Sequence, residues 1–284
     1  MDEQRTDEWF AARLGKVTAS RVADLMATTK SGYAASRENL MAQLIVEQLT
    51  GQKQESYSNA SMQWGTEQEP FARAAYEIAT GTMVDECGFV PHPTIDGSGA
   101  SPDGLVGHDG LVEIKCPNTA GMIEALLTQT VPGKYNIQMQ MQMACTSRQW
   151  CDYVVFDPRM PAKAQLFIKR VPRDPAFIQK MEAEIIKFLA ELDGKVNQLK
   201  KQYDVKFAAR EYSTSDGARK TYWSQHGSMW IDDNGSITIK MDSIPVGETW
   251  KGYLKAFPSK PREQQQQKTH YEGLPSDDFD DTPF

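Results

Sequence analysis

The chain has 284 residues, with 31 Lys and Arg against 38 Asp and Glu for a net charge of −7, and 40% of it is hydrophobic. That length can bury a large core and exceeds one average domain, while the polar, acidic start MDEQRTDEWF and the lack of an uninterrupted apolar span argue against a membrane or secreted protein and for a cytoplasmic one. Cys87, Cys116, Cys145 and Cys151 have no CxxC spacing, so they read as reduced, mostly buried thiols rather than disulfide, zinc or iron–sulfur ligands.

In chain order, residues 6–14 and 19–27 read as short helices, the second led by Thr18 and Ser20 as caps. Residues 37–49 place Leu40, Ile45 and Leu49 at helical spacing before Thr50 and Gly51, and 63–79 form a longer helix stopped by Gly81. Short strands are expected at 83–90, 99–100, 105–106 and 111–115, then helices at 120–127 and 135–146. Strands at 150–156 and 164–169 complete a sheet, and 175–201 is an amphipathic helix closing the first domain. Within 135–146, Gln138, Gln140 and Gln142 alternate with Met139, Met141 and Met143, which is strand periodicity inside an expected helix.

Beyond residue 204 the composition turns to Thr, Ser, Gly and aromatics. Strands are expected at 220–223, 228–231, 236–241 and 252–256, with DDNG at 232–235 as a hairpin signal. This gives domains at 1–204, 205–260 and 261–284. In the second, Tyr222, Trp223, Trp230, Trp250, Tyr253 and Phe257 either fill a small core or stack on unpaired bases beside Arg219, Lys220, Lys240, Lys251 and Lys255. In the third, PREQQQQ is a solvated linker and PSDDFDDTPF cannot bury enough apolar surface to fold alone.

The densest chemistry lies in SPDGLVGHDGLVEIK, residues 101–115. If the apolar run at 111–115 is a strand, Glu113 and Lys115 project from one face, and Asp103 opens a glycine-punctuated turn before it. Two carboxylates and an ammonium that converge suit metal-dependent phosphodiester hydrolysis. Asp103 and Glu113 offer hard oxygens for Mg²⁺, with Mn²⁺ as a substitute, the Ile114 carbonyl lies between them, and Lys115 can hold or deprotonate a water or offset developing negative charge.

SPDG followed by EIKCP resembles the active-site segment of the lambda-exonuclease and YqaJ-type viral recombinase nucleases of the PD-(D/E)XK superfamily. RLGKVTAS at 13–20, WGTEQE at 64–69, YNIQMQ at 135–140 and FDPRM at 156–160 extend the resemblance in the same order over about residues 6–200. It implies an α/β restriction-endonuclease-like core, a mixed central sheet flanked by helices, followed by the small β module and a disordered acidic tail. It implies a metal-dependent 5′ to 3′ double-stranded-DNA exonuclease that leaves 3′ overhangs for recombination by single-strand annealing. Asp103, Glu113, the Ile114 carbonyl and Glu69 would be metal ligands, with Glu67 as the competitor of Glu69; Lys115 would be the catalytic lysine, and Gln138 would border the site. Arg13, Ser20 and Ser101 would hold a 5′-terminal phosphate, an anion that a guanidinium fork and hydroxyl donors suit. Lys30 would lie near the DNA track and Met62 would part the end base pair.

The resemblance also implies a ring-shaped homotrimer and a phage single-strand annealing protein as partner. An enclosing ring needs little electrostatic grip, which fits the acidic total, and Arg13, Lys16, Arg21, Lys30, Lys134 and Arg148 could still line a positive channel. The last residues resemble the tip of bacterial single-stranded-DNA-binding proteins, which implies that Asp280, Asp281, Pro283 and Phe284 dock on host proteins that read such tips. An endonuclease with the same metal centre and a non-catalytic DNA-end or single-strand adaptor are the alternatives.

Overall fold

The structure is a computed structural model that describes residues 4–53, 60–200, 203–214, 217–231, 236–244 and 254–258. The chain divides into two compact units, residues 1–200 and 201–284. The DDNG turn, Trp250, Lys251, Tyr253 and the acidic tail lie outside the described residues.

Unit one opens with α1 (Asp7–Arg13), which Thr6 caps by accepting the Trp9 amide and which carries Asp7 and Glu8 at its start and Arg13 at its end, each where the helix dipole favours it. β1 (Val17–Thr18) leads into a 3-10 turn, Ala19–Arg21, and then α2 (Val22–Met26), so the expected helix over 19–27 begins as a tighter turn, with no side-chain cap bond from Thr18. β2 (Thr28–Thr29) and β3 (Gly32–Tyr33) form a small hairpin that the sequence did not suggest. α3 (Ala35–Thr50) stops at Gly51, whose φ of 65° needs a residue without a Cβ. α4 (Ala60–Thr80) follows.

The expected strand over 83–90 is instead two short ones, β4 (Val84–Asp85) and β5 (Val90–Pro91), which join different sheets. β6 (Ser98–Ala100), β7 (Gly104–Val106) and β8 (Gly110–Lys115) come next. α5 (Thr119–Thr128), capped by Asn118, and α6 (Gly133–Thr146) precede β9 (Trp150–Phe156), β10 (Leu166–Pro172) and the long α7 (Pro175–Lys200). The main sheet has the order β10-β9-β8-β7-β4, with β8 parallel to β9 and the other pairs antiparallel; a smaller sheet has the order β1-β6-β5.

Three cores follow from this layering. Val112, Ile114, Val154 and Phe156 pack under Ala72 and Tyr76 of α4 on one face of the main sheet. Leu111, Cys151, Tyr153 and Val155 pack under Met122 of α5 and Met139 and Met143 of α6 on the other. Met141 turns away from that face into a third core with α2, α3 and α7. Thus α6 is covered on opposite sides, and the Met–Gln alternation is a helix buried between two cores: positions 139 and 143 share a face and 141 lies nearly opposite. All four cysteines are free and buried, as expected.

Unit two is a four-stranded antiparallel sheet, order β13-β12-β11-β14, built of β11 (Tyr203–Ser213), β12 (Arg219–Ile231), β13 (Ile237–Met241) and β14 (Lys255–Pro258). The two strands expected at 220–223 and 228–231 are one strand. The intervening SQHG offers turn residues but forms a bulge, because β11, which the sequence did not suggest, pairs along nearly the whole length. Trp230 is buried, whereas Tyr222 is exposed. Among the described residues no helix is long and apolar enough to cross a membrane.

The sheet and α4 are braced by a buried carboxylate. Asp152 on β9 accepts hydrogen bonds from Tyr76 Oη of α4 at 2.9 Å and from Arg170 Nε and Nη2 of β10 at 2.8 and 2.9 Å. Tyr76→Phe removes a donor to a buried charge and should lower stability by about 1.5 to 3 kcal/mol. Urea unfolding would show this as a lower midpoint at unchanged slope, and an unshifted midpoint would refute the brace.

Candidate active site

β8 carries Leu111, Glu113 and Lys115 on the face that looks toward α6, so the apolar strand that builds the core also delivers the two polar side chains. Its register with β7 pairs Gly104 with Val112, and one step further on Asp103 stands opposite Glu113 on the same face. β7 ends there, and the Asp103 side chain continues the ladder in its place, with Oδ2 accepting the Ile114 amide at 2.7 Å. The N–H and C=O of an extended residue project to the same edge, so the Ile114 carbonyl lies on the edge that Asp103 occupies. Gly104 is required beside it: a Cβ there would sit 2.1 Å from Val84 Cγ1.

Glu113 is fully buried and fully partnered. Oε1 accepts from Gln138 Nε2 at 2.7 Å and pairs with Lys115 Nζ, and Oε2 accepts from Gln142 Nε2 at 2.6 Å. Burial and the Glu113 charge push the Asp103 carboxyl up to about 8, against the opposing pull of Lys115. Burial disfavours the Lys115 ammonium, yet the carboxylates of Glu113 and Asp103 outweigh it and raise its pKa. The site therefore holds more negative charge than its one lysine neutralises comfortably.

A cavity of about 160 Å³ opens beside this cluster, lined by Trp9, Arg13, Ser20, Ser101, Asp103 and Gln138 among others. Arg13 Nη1 donates to Ser101 Oγ at 2.8 Å, Trp9 Nε1 donates to the same oxygen at 3.0 Å, and the Arg13 guanidinium lies over the Trp9 ring at 4.1 Å. Burial lowers the Arg13 pKa to about 10, which leaves it charged at neutral pH. Residues from four separate motifs thus share one wall.

Other expected residues lie elsewhere. Glu69 pairs with Arg5 at 2.6 Å and Arg73 at 3.5 Å, on the helix that covers the opposite face of the sheet from Glu113, although its charge is felt at Asp103. Glu67 is exposed and accepts from Gln63 at 2.9 Å. Lys30 is exposed at the tip of the β2–β3 hairpin, and the Met62 side chain lies outside the described residues. Arg148 does not line a channel: its Nη1 donates to the Gly107 and Gly110 carbonyls at 2.8 and 2.6 Å and holds the β7–β8 turn closed. In the FDPRM motif, Asp157 accepts from Arg159 at 2.7 Å and Thr119 at 2.8 Å, and Arg159 lies over the Trp64 ring at 4.5 Å, so this motif ties WGTEQE to the start of α5.

Sequence reasoning passed over Trp9, Gln142 and Gln4. Trp9 precedes Arg13, and Gln142 follows Gln138, by one helical turn, a spacing that signals a shared face. Gln4, which donates to the Pro102 carbonyl at 2.7 Å, carried no such signal.

The donor set suits a hard divalent cation: Asp103 and Glu113 carboxylates and the Ile114 carbonyl, with the raised Asp103 pKa marking uncompensated negative charge. Among the described residues no three His, Cys, Asp or Glu side chains gather as one metal cluster, so Glu69 does not complete a carboxylate triad with the other two.

Residues 8–149 match the YqaJ-like viral recombinase domain. A crystal structure of LHK-Exo in complex with dAMP is 58% identical, covers 69% of this chain and 96% of its own, and superposes with a TM-score of 0.65. A second structure, described as an alkaline exonuclease (LHK-Exo) from Laribacter hongkongensis, is 57% identical over 69% of this chain and 96% of its own, also with a TM-score of 0.65. A phage-related exonuclease from Haemophilus somnus 129PT, 15% identical over 65% of this chain and 96% of its own, shares the fold at a TM-score of 0.55. No curated protein matches the chain. With its motifs, fold and half-length family match in agreement, the chain belongs to the YqaJ-like viral recombinase family, on a PD-(D/E)XK-like fold, and is a nuclease acting in recombination.

Proposed function

We propose that the chain is a metal-dependent 5′ to 3′ exonuclease of double-stranded DNA that leaves 3′ overhangs for a phage single-strand annealing protein. The observation that carries this is the single cavity in which Arg13, Ser20 and Ser101 stand beside Asp103 and Gln138. A cutter of internal bonds has no use for a terminal-phosphate pocket; an enzyme that counts from a 5′ end does. LHK-Exo was crystallised with dAMP, a 5′-mononucleotide of the class such cleavage releases.

In this reading Arg13 and the two serines hold the terminal phosphate, and Trp9 fixes Arg13 and Ser101 in place by stacking and hydrogen bonding. The next phosphodiester is then registered against Asp103. Mg²⁺, or Mn²⁺ in its place, held by Asp103, Glu113 and the Ile114 carbonyl with Glu69 in an outer role, would supply Lewis acidity and lower the pKa of a water. Gln138 and Gln142 orient Glu113, and the Lys115 ammonium, kept charged by two carboxylates, offsets charge on the pentacovalent phosphorus. Lys30 contacts the duplex backbone ahead of the cut, Met62 wedges the end pair, and three copies form a ring around DNA.

Asp103→Ala, Glu113→Ala and Lys115→Ala should each reduce digestion of linear 5′-phosphorylated duplex by about a hundredfold or more at unchanged circular dichroism, and chelation with EDTA should do the same. Full activity in all three variants would sink the assignment. The intact enzyme should prefer 5′-phosphate over 5′-hydroxyl ends, and Arg13→Ala should narrow that preference about tenfold. Equal digestion of both ends by the intact protein would remove the pocket from the mechanism.

The metal-free site has its own pH signature. The Asp103 carboxyl is raised in the folded state to about 8, above its value in the unfolded chain, so its contribution is fully present below pH 4 and is lost as pH rises through 8. In EDTA, thermal stability should decline over this range and Asp103→Asn should flatten the decline. Parallel curves for the two proteins would contradict the electrostatic account.

The acidic end is read as a separate docking device, with Asp280, Asp281, Pro283 and Phe284 engaging a host repair protein that reads single-strand-binding-protein tips. Deleting Pro283 and Phe284 should leave the rate on naked DNA unchanged while weakening a salt-sensitive association with such a protein. Unaltered partner affinity would reduce the segment to a solubilising tail.

A further inference from the structure

β11 and β12 outrun their sheet. β14 pairs with residues 203–206 of β11 and β13 with 227–231 of β12, so among the described residues 207–213 and 219–225 pair only with each other. A two-stranded ribbon is marginal in water by itself, and an exposed edge invites unwanted pairing, so a protein that keeps one displays it at a cost. The bulges between Val205 and Lys206 and between Ala208 and Arg210 add twist along its length.

Its surface chemistry is specific. Tyr212 and Lys220 stand directly opposite in the ladder, and Tyr222 lies two residues beyond Lys220 on β12, so the three share one face. Tyr212 is 45% exposed, Tyr222 is 53% exposed, and Lys220 and neighbouring Arg219 are exposed as well. The two rings are diagonal cross-strand neighbours, about 7 to 8 Å apart at the backbone. Residues 201–260 carry nine Lys and Arg against seven Asp and Glu, a reversal of sign from the −7 of the whole chain. Rings left in water beside cations suit a polyanion whose bases are free to stack. Single-stranded DNA offers unpaired bases; a duplex keeps its bases stacked on one another.

We propose that the β11–β12 ribbon is an arm that binds single-stranded DNA, with bases stacked on Tyr212 and Tyr222 and phosphates held by Lys220 and Arg219. The arm gives a recombination nuclease a hold on the unpaired strand distinct from its cleavage site. The inference does not depend on the direction of digestion.

The test uses the full chain in EDTA, so that no DNA is cut. Oligothymidylate containing 5-iododeoxyuridine, irradiated in the complex, should cross-link to Tyr212 or Tyr222 on peptide mapping. In fluorescence anisotropy the Tyr212→Ala/Tyr222→Ala pair should lose about tenfold in affinity for oligothymidylate, Tyr212→Phe/Tyr222→Phe should retain it, and Lys220→Gln should flatten its salt dependence. With Mg²⁺ restored, the initial rate on short phosphorylated duplexes should stay unchanged in all of them. Cross-links confined to residues 1–200, equal loss in the Phe and Ala pairs, or a loss seen with duplex alone would overturn the proposal. Should the alanine pair disturb the circular dichroism, the cross-link map and the Lys220→Gln salt slope decide the matter by themselves.

Discussion

Everything in the first unit is arranged around keeping the Glu113 carboxylate ionised where no water reaches it. An unpaired charge at that depth would cost several kcal/mol, and only a full set of donors offsets it. Lys115 supplies one from the same strand, and Gln138 and Gln142 supply two from α6. Two glutamines that point at a sheet require a helix that stays buried along its length, and α6 meets this by lying between two cores. The helix is thus both the spine of the unit and the support of the site.

Asp103 completes the arrangement differently. It is held by a backbone amide where a strand has run out, so its position depends on the abrupt end of β7 and on Gly104, which lets Val84 come close. The tight β7–β8 turn is closed in turn by Arg148, a residue whose charge would suggest an outward role. Structure-forming and chemistry-bearing residues alternate here at intervals of one or two positions, which explains why so much function sits in 15 residues of sequence.

Much of this was legible in advance. The strand at β9, the long closing helix and the shared face of Glu113 and Lys115 follow from local periodicity, and motif order anticipated that Arg13, Ser20 and Ser101 would meet. What escaped was whatever depends on distant pairing. β4 and β5 separate because their partners lie in different sheets, and β12 runs through a turn-like SQHG because β11 pairs along it. The Met–Gln alternation misleads for the same reason: a period of two in a helix means two cores, and a second core is invisible in a local window. Glu69 shows the limit for the site, since its place in a motif says nothing of which side of the sheet its helix will cover.

α1 has a further consequence. Its seven residues include none that is buried, a helix so short has little stability of its own, and Trp9 and Arg13 fasten it to the body through Ser101. The guanidinium that would grip a DNA end therefore rides on one of the most weakly anchored elements of unit one. Warming should fray α1 well before the sheet melts, so the molecule would pass through a range of temperature in which its catalytic carboxylates are intact while its discrimination between kinds of DNA end has already faded.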